Sequence, residues 1–229
     1  MPRSHSQLPK KADCRIPYAP DGKWVLYFVH RDNPVGTGNE LKPEPLMRVP
    51  IGGGPSQLVL TAVPGSQVSC ARPPSDLCVI AELSEDRKQV IVNAVDPVTG
   101  RGSELTRFAV HPDDDRWNVE LSPDATRFAA IRSPDDPIYV WSLHSKKMRE
   151  VRVIGWSNLR NLSWAGDGKG LLVVTRQKGY GTILHVDLQG HANVLWERAT
   201  EGVAESPDGR HLCISSNTVD QNVWMLENF

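Results

Sequence analysis

The sequence predicts an all-β chain built from a repeated four-stranded unit, and three observations carry that prediction. A Ser-Pro-Asp-Gly type of turn recurs along the chain. Taking Pro20, Pro74, Pro123, Gly166 and Pro207 as equivalent, its copies lie 54, 49, 43 and 41 residues apart. Each copy is followed by an apolar run of strand length, rich in Val, Ile, Leu and Trp, and no apolar stripe at helical spacing appears. The 18 glycines and 18 prolines are scattered between these runs as turn punctuation. Strand-rich repeats with a period of 40–50 residues describe the blades of a propeller.

The turn has a simple chemistry. Proline fixes φ at its second position, Asp bonds the local backbone, and glycine closes the corner. The first copy is YAPDGKWVLYFV (18–29), followed by a third strand in PLMRVPIGGG and an outer strand in SQLVLT. ARPPSDLCVIAE (71–82) is a degenerate second copy, followed by QVIVNAVDPVTG and SELTRF. The third copy, LSPDATRFAAI (121–131), has Ala125 in place of glycine. Its four strands are predicted at Trp117–Leu121, Arg127–Arg132, Ile138–Leu143 and Arg149–Ile154. The fourth, SWAGDGKGLLVVT (163–175), has Gly166 in place of proline, with strands predicted at Leu159–Trp164, Leu171–Arg176, Thr182–Leu188 and Ala192–Glu197. The fifth is AESPDGRHLCISS (204–216), followed by NVWMLENF (222–229). The short link between Trp196 and Ser206 predicts a truncated innermost strand in this last unit.

A lone four-stranded sheet leaves apolar faces uncovered, so neighbouring units are expected to stack face to face in a ring. The expected architecture is therefore a β-propeller of four-stranded antiparallel blades, about five of them. Residues 13–229 form a single propeller domain, preceded by an N-terminal segment, residues 1–12. HSQLPKK (5–11) is similar to PSQLVLT (55–61), so that segment is expected to supply the outer strand missing from the last unit and to latch the ring.

Charge and composition narrow the function. The 229 residues carry 26 basic and 27 acidic side chains, a formal net charge of -1, which gives no electrostatic reason to expect nucleic acid. No run approaches the roughly 18 apolar residues of a membrane helix. No apolar segment of a secretory signal is visible, so the expectation is a cytoplasmic chain without membrane insertion, or a periplasmic one if it is part of a membrane-anchored parent. Cys14, Cys70, Cys78 and Cys213 show no metal or redox spacing and are read as ordinary thiols.

Several motifs invite a catalytic reading and fail it. His30-Arg31-Asp32 resembles a kinase catalytic loop, but Thr37 stands where an Asn is required, and the segment reads as a strand-end turn. IGGGPS (51–56) leads into a strand and not a helix, so it is a hairpin turn and no phosphate cradle. HPDDDRW (111–117) gathers His111, Asp113, Asp114 and Asp115, but its spacing matches no calcium loop, and both it and SPDDP (133–137) read as solvated acidic turns. Gly155-Trp156-Ser157-Asn158-Leu159 fails the nucleophile pattern at its last position. The seven histidines are dispersed, and His185, between Leu184 and Val186, reads as a satisfied strand histidine. Asn161-Leu162-Ser163 matches a glycosylation acceptor by chance, within a predicted innermost strand. Trp141, Trp196 and Trp224 are expected to fill space between blades, whereas Trp117 and Trp156 precede innermost strands and could reach a face of the disc.

The SPDG(R/K) turn, VDLQGHANVLWE (186–197) and the ending NVWMLENF resemble the TolB-type, WD-repeat-like β-propellers of bacteria. More narrowly, they resemble the propeller that follows a eukaryotic-like Ser/Thr kinase or a winged-helix domain in acidobacterial proteins. The resemblance covers residues 13–229. Such propellers usually have more blades, and no kinase or winged-helix region precedes this one, which implies a C-terminal remnant or a reading frame begun inside a larger ancestor. The resemblance implies a non-catalytic sensor or scaffold module that binds a protein, a peptide or a small ligand, with no cofactor. Two other readings are a gate-type propeller of the prolyl-oligopeptidase group, whose chemistry lies in a separate domain, and a TolB-like envelope protein.

Overall fold

The computed structural model describes residues 17–29, 42–110, 117–198, 202–206 and 210–215. The expected latch, the His30-Arg31-Asp32 turn, His111 to Asp115, and the ending with Trp224 lie outside them. The described chain is all β, in five antiparallel sheets that follow one another in sequence. Blade 1 holds β1 (Trp24–Phe28), β2 (Glu44–Pro50) and β3 (Gln57–Ala62), with Tyr18 bridged to Val25 on its inner side. Blade 2 holds β4 (Gln67–Cys70), β5 (Cys78–Leu83), β6 (Gln89–Asp96) and β7 (Gly100–Ala109). Blade 3 holds β8 (Asn118–Leu121), β9 (Arg127–Ile131), β10 (Ile138–Ser142) and β11 (Met148–Val151). Blade 4 holds β12 (Leu159–Trp164), β13 (Gly170–Thr175), β14 (Thr182–Asp187) and β15 (Ala192–Glu197). The fifth sheet pairs β16 (Gly202–Glu205) with β17 (Leu212–Ser215). β16 has four residues, like β4 and β8, so the expected truncation of that innermost strand is not present.

The corners explain why these residues turn where they do. In blade 3, Asp124 accepts from Thr126 N at 3.1 Å and from the Ser122 hydroxyl at 2.6 Å, while Arg127 N donates to Ser122 Oγ at 2.9 Å. Asp21 and Asp167 hold Lys23 N and Lys169 N in the same way, each at 2.9 Å. The fourth corner position is left-handed, at φ 67° for both Gly22 and Gly168. Ala125 sits there at φ 57°, a conformation that costs an alanine roughly 1 kcal/mol. A further copy of the motif, Ser84-Glu85-Asp86-Arg87-Lys88, joins the second and third strands of blade 2 and bonds identically, with Arg87 at φ 58°. The turn is a general hairpin closure and does not belong to the first corner of a blade alone.

Four apolar layers lie between successive sheets, as stacking of blades that bury both faces requires. Leu26, Leu46, Cys78, Ile80 and Val95 fill the layer between blades 1 and 2. Between blades 2 and 3, Trp141 stacks on Phe128 at 4.7 Å and Phe108 at 5.0 Å, as expected of a space-filling tryptophan. Ile131, Ile138, Leu162, Trp164 and Leu171 pack between blades 3 and 4. Leu172, Val174, Ile183 and Val203 pack between blade 4 and the fifth sheet. Trp196 departs from expectation: it lies on the outer strand β15, where the register shifts past Leu195, and is 55% exposed. Trp117 is buried and Trp156 is half-buried against the layer between blades 3 and 4, so both pack and neither projects freely.

The thiol reading of the cysteines is overturned. Cys70 and Cys78 are register partners on β4 and β5 and form a disulfide, with Cα atoms 4.0 Å apart. Directly opposed antiparallel residues sit close enough for this bond, and that proximity follows from strand register and not from a cysteine motif. Cys213 is disulfide-bonded as well.

Candidate functional site

Innermost strands in a propeller present polar edges to a central channel, and here side chains supply the bonds that a ladder would otherwise make. Gln67 donates to Trp117 O at 2.9 Å and accepts from Val119 N at 3.0 Å, while Ser69 Oγ accepts from Leu121 N at 3.1 Å. Asn118 Oδ1 accepts from Leu162 N at 3.3 Å, and Trp164 Nε1 donates to Glu120 O at 3.0 Å. These bonds lock β4 to β8 and β8 to β12.

Strand direction alternates along each blade, so all first corners lie on one face. The two that depart most from the SPDG pattern, in blades 2 and 4, meet. The corner of blade 2, residues 71–77, carries Arg72 above the Cys70–Cys78 disulfide. Arg72 N donates to Pro123 O in blade 3 at 2.8 Å. Its guanidinium donates to Gly166 O in blade 4 at 3.2 Å and to Glu205 O in the fifth sheet at 3.3 Å. Glu205 in turn accepts from Gly166 N through its carboxylate, at 2.5 Å. This arrangement accounts for the missing proline: a Cβ at Gly166 would stand 2.7 Å from Arg72 Nη1. One corner has given up its side chain to admit the arginine of another.

Beside this strut an open cleft of about 580 Å³ runs between blade 4 and the fifth sheet. Leu172, Leu195 and Leu212 give it apolar walls, and Asp167, His185, Arg210 and His211 a polar rim. Gly166 and Glu205 line it too, so the strut and the cleft share residues. His185 faces the cleft because its strand partner Leu172 does, and its ring lies over Gly170, where a Cβ would stand 2.6 Å from Nε2. The histidine read as a satisfied strand residue therefore lines the cleft.

The other motifs are structural. Ile51–Ser56 turns between β2 and β3 as expected. Asn161 and Ser163 lie within β12, the innermost strand of blade 4. In SPDDP the carboxylates are engaged and not merely solvated: Asp135 accepts from Asn158 N at 3.2 Å, and Asp136 lies 3.5 Å from Arg132 Nε. Ser157 N donates to Gln177 at 2.8 Å, and the Ser157 carbonyl accepts from Thr175 at 2.5 Å, both of them bonds that close the turn before β12. Among the described residues, no group of three or more His, Cys, Asp or Glu side chains is placed to hold a metal ion.

Electrostatic shifts fall on turn carboxylates and on a few strand residues: in β7 the Arg107 guanidinium lowers Glu104, and in β10 burial raises Tyr139. Asp86 is held below its usual range by the Ser84 hydroxyl and then by Lys88 N, and Asp187 by His191. At Asp124 burial pushes the carboxyl up, but bonds from Ser122 and Thr126 outweigh it and leave the group lowered.

No protein-family model and no curated protein sequence matches the chain. Solved structures do. TolB from Acinetobacter baumannii superposes with a TM-score of 0.64 at 17% identity, covering 86% of this chain and 46% of TolB. A chain of a nidogen/laminin complex superposes with a TM-score of 0.57 at 13% identity, covering 75% of this chain and 66% of that one. Puromycin hydrolase gives 0.50 at 16% identity, covering 85% of this chain and 32% of the enzyme. The described chain thus has the TolB-like propeller fold and spans about half the length of TolB. Likeness at this identity extends to fold and not to activity.

Proposed function

We propose that this propeller is a non-catalytic binding module, a sensor or scaffold region of a signalling protein, whose ligand is a protein segment or peptide seated in the cleft between blade 4 and the fifth sheet. The cleft itself carries the reading. It combines three leucines with a rim bearing Asp167, Arg210, His185 and His211, the mixture of apolar contact and convergent polar groups that recognises a short peptide. The nearby carboxylates serve structure: Glu205 holds Gly166 N and Asp167 holds Lys169 N. Val194, Leu195 and Trp196 extend the apolar surface outward along β15, all at least 45% exposed. Disulfides persist in oxidising compartments, so the Cys70–Cys78 bond favours the periplasmic setting over the cytoplasmic one.

Selection from a random peptide display library on the folded chain tests this reading. Enriched peptides are expected to lose at least about tenfold in affinity on Leu195→Arg, an exposed position whose substitution leaves the fold intact. Peptides that bind Leu195→Arg and wild type equally would place the site elsewhere.

A further inference from the structure

We infer that the Cys70–Cys78 disulfide is a thiol-exchange site that governs the Arg72 strut, so that its oxidation state sets how firmly blade 4 and the fifth sheet are held beside the cleft. The disulfide closes the base of the 71–77 corner on adjacent strands. From that corner Arg72 reaches three other units, through Pro123 O, Gly166 O and Glu205 O. Two of those contacts, Gly166 and Glu205, are cleft-lining residues. In blades 1, 3 and 4 an Asp side chain helps close the first corner, joined in blade 3 by Ser122, whereas the first corner of blade 2 is closed at its base by a covalent bond that chemistry can open.

The two sulfurs differ in access. Cys78 is wholly buried in the layer between blades 1 and 2, and Cys70 is only partly buried. A dithiol reductant is therefore expected to attack Cys70 Sγ as its thiolate. The S–S bond breaks, Cys78 leaves as a thiolate and takes up a proton, and a mixed disulfide remains at Cys70. The second thiol of the reductant displaces Cys70, which is released and protonated. The protein gains two electrons and two protons, and the reductant is oxidised to its own disulfide. With its base unclamped, the corner no longer positions the guanidinium, and its bonds to Gly166 O and Glu205 O loosen.

The consequence for ligand affinity rests on the cleft reading above, but the mechanical coupling does not, and it is measured without a ligand. Hydrogen exchange is followed in the full chain carrying Cys14→Ser and Cys213→Ser, so that Cys70–Cys78 is the remaining cystine. Dithiothreitol is the reductant, and intact mass reports the gain of two hydrogens. Reduction is expected to speed exchange of Gly166 N and of residues 202–206 by about fivefold, the effect of losing one ordinary hydrogen bond. In Arg72→Gln the same amides exchange fast at once, and reduction adds nothing there. If reduced and oxidised chains protect Gly166 equally, or if Arg72→Gln still responds to reduction at that amide, the coupling is wrong. A cystine that resists dithiothreitol in the native chain overturns the exchange site. Where Arg72→Gln loses protection throughout blades 3 and 4, the oxidised and reduced forms of the parent decide the question alone.

Discussion

Blade 3 and blade 2 have the same strand order but are held to their neighbours differently. Blade 3 meets blade 4 through a continuous apolar layer centred on Trp164 and Leu162, with Arg127 over the indole ring at 4.8 Å and bonded to Gly168 O at 2.8 Å. Its corner is local, closed by Ser122 and Asp124. Blade 2 also reaches outward with charge, from a corner closed within the blade by a covalent bond. Arg101 pairs with the buried Glu82, which also accepts from Val63 N in blade 1, and Arg72 crosses the channel from a disulfide-closed corner. Where the repeat follows its pattern it packs side by side; where it departs, it makes long-range connections.

The largest expected effect comes from breaking the regular interface. Trp164→Ala removes a buried indole and its bond to Glu120 O and should cost about 3–5 kcal/mol, a fall in Tm of some ten degrees by thermal melting. A cost under about 1 kcal/mol would mean that the blades are not joined by this layer. Next is Arg101→Ala, which leaves the Glu82 carboxylate buried beside Val63 N; about 2–3 kcal/mol should be lost by urea unfolding.

Restoring the pattern should then damage the exception. Gly166→Pro brings blade 4 back to the Ser-Pro-Asp-Gly form but places carbon where the Arg72 guanidinium lies. Because proline also removes the Gly166 N–H that Glu205 accepts, a stability loss of about 2–3 kcal/mol is expected in the wild-type background and about 1 kcal/mol in Arg72→Ala, a non-additivity that a double-mutant cycle reads directly. Ala125→Gly should do the opposite and stabilise blade 3 by about 0.5–1 kcal/mol by relieving the left-handed strain.

Acid titration gives the smallest effect. Asp86, Asp96, Asp124 and Asp187 all have carboxyls lowered in the folded chain. Such groups add stability above the unfolded-state value near 3.8, and it is lost as pH falls through the lower folded values. Tm should therefore be flat from pH 7 to 5 and fall below about 4, less steeply in Asp124→Asn; an identical slope in that variant would remove the Ser122–Asp124 corner from the account.

Much of the regular part was legible in the sequence, because its chemistry is local. In blade 4 the predicted strands differ from the observed ones by a residue at either end of β13 and at the end of β14, since turn residues and β-branched runs fix those limits within a few positions. The site was not legible, because its parts come from different blades. Arg72 belongs to no motif, Cys70 and Cys78 meet only through the register of β4 and β5, and the cleft is lined from five strands, β13 to β17, and the Ala165–Asp167 corner. One signal was present. The two corners that depart most from the pattern, at Arg72 and Gly166, are the two in contact. Ser84–Lys88 was missed for the opposite reason: it matches the turn chemistry but stands between strands where no first corner was sought.

Limited trypsin digestion at Arg210, between β16 and β17, tests most directly whether Arg72 ties the fifth sheet to blades 2 to 4. Cleavage after Arg210 should run about tenfold faster in Arg72→Gln than in wild type, while sites in blades 2 and 3 are cut at unchanged rates. Equal rates after Arg210 in the two chains would show that the fifth sheet is held by its apolar layer alone, and that the strut carries no load between blades.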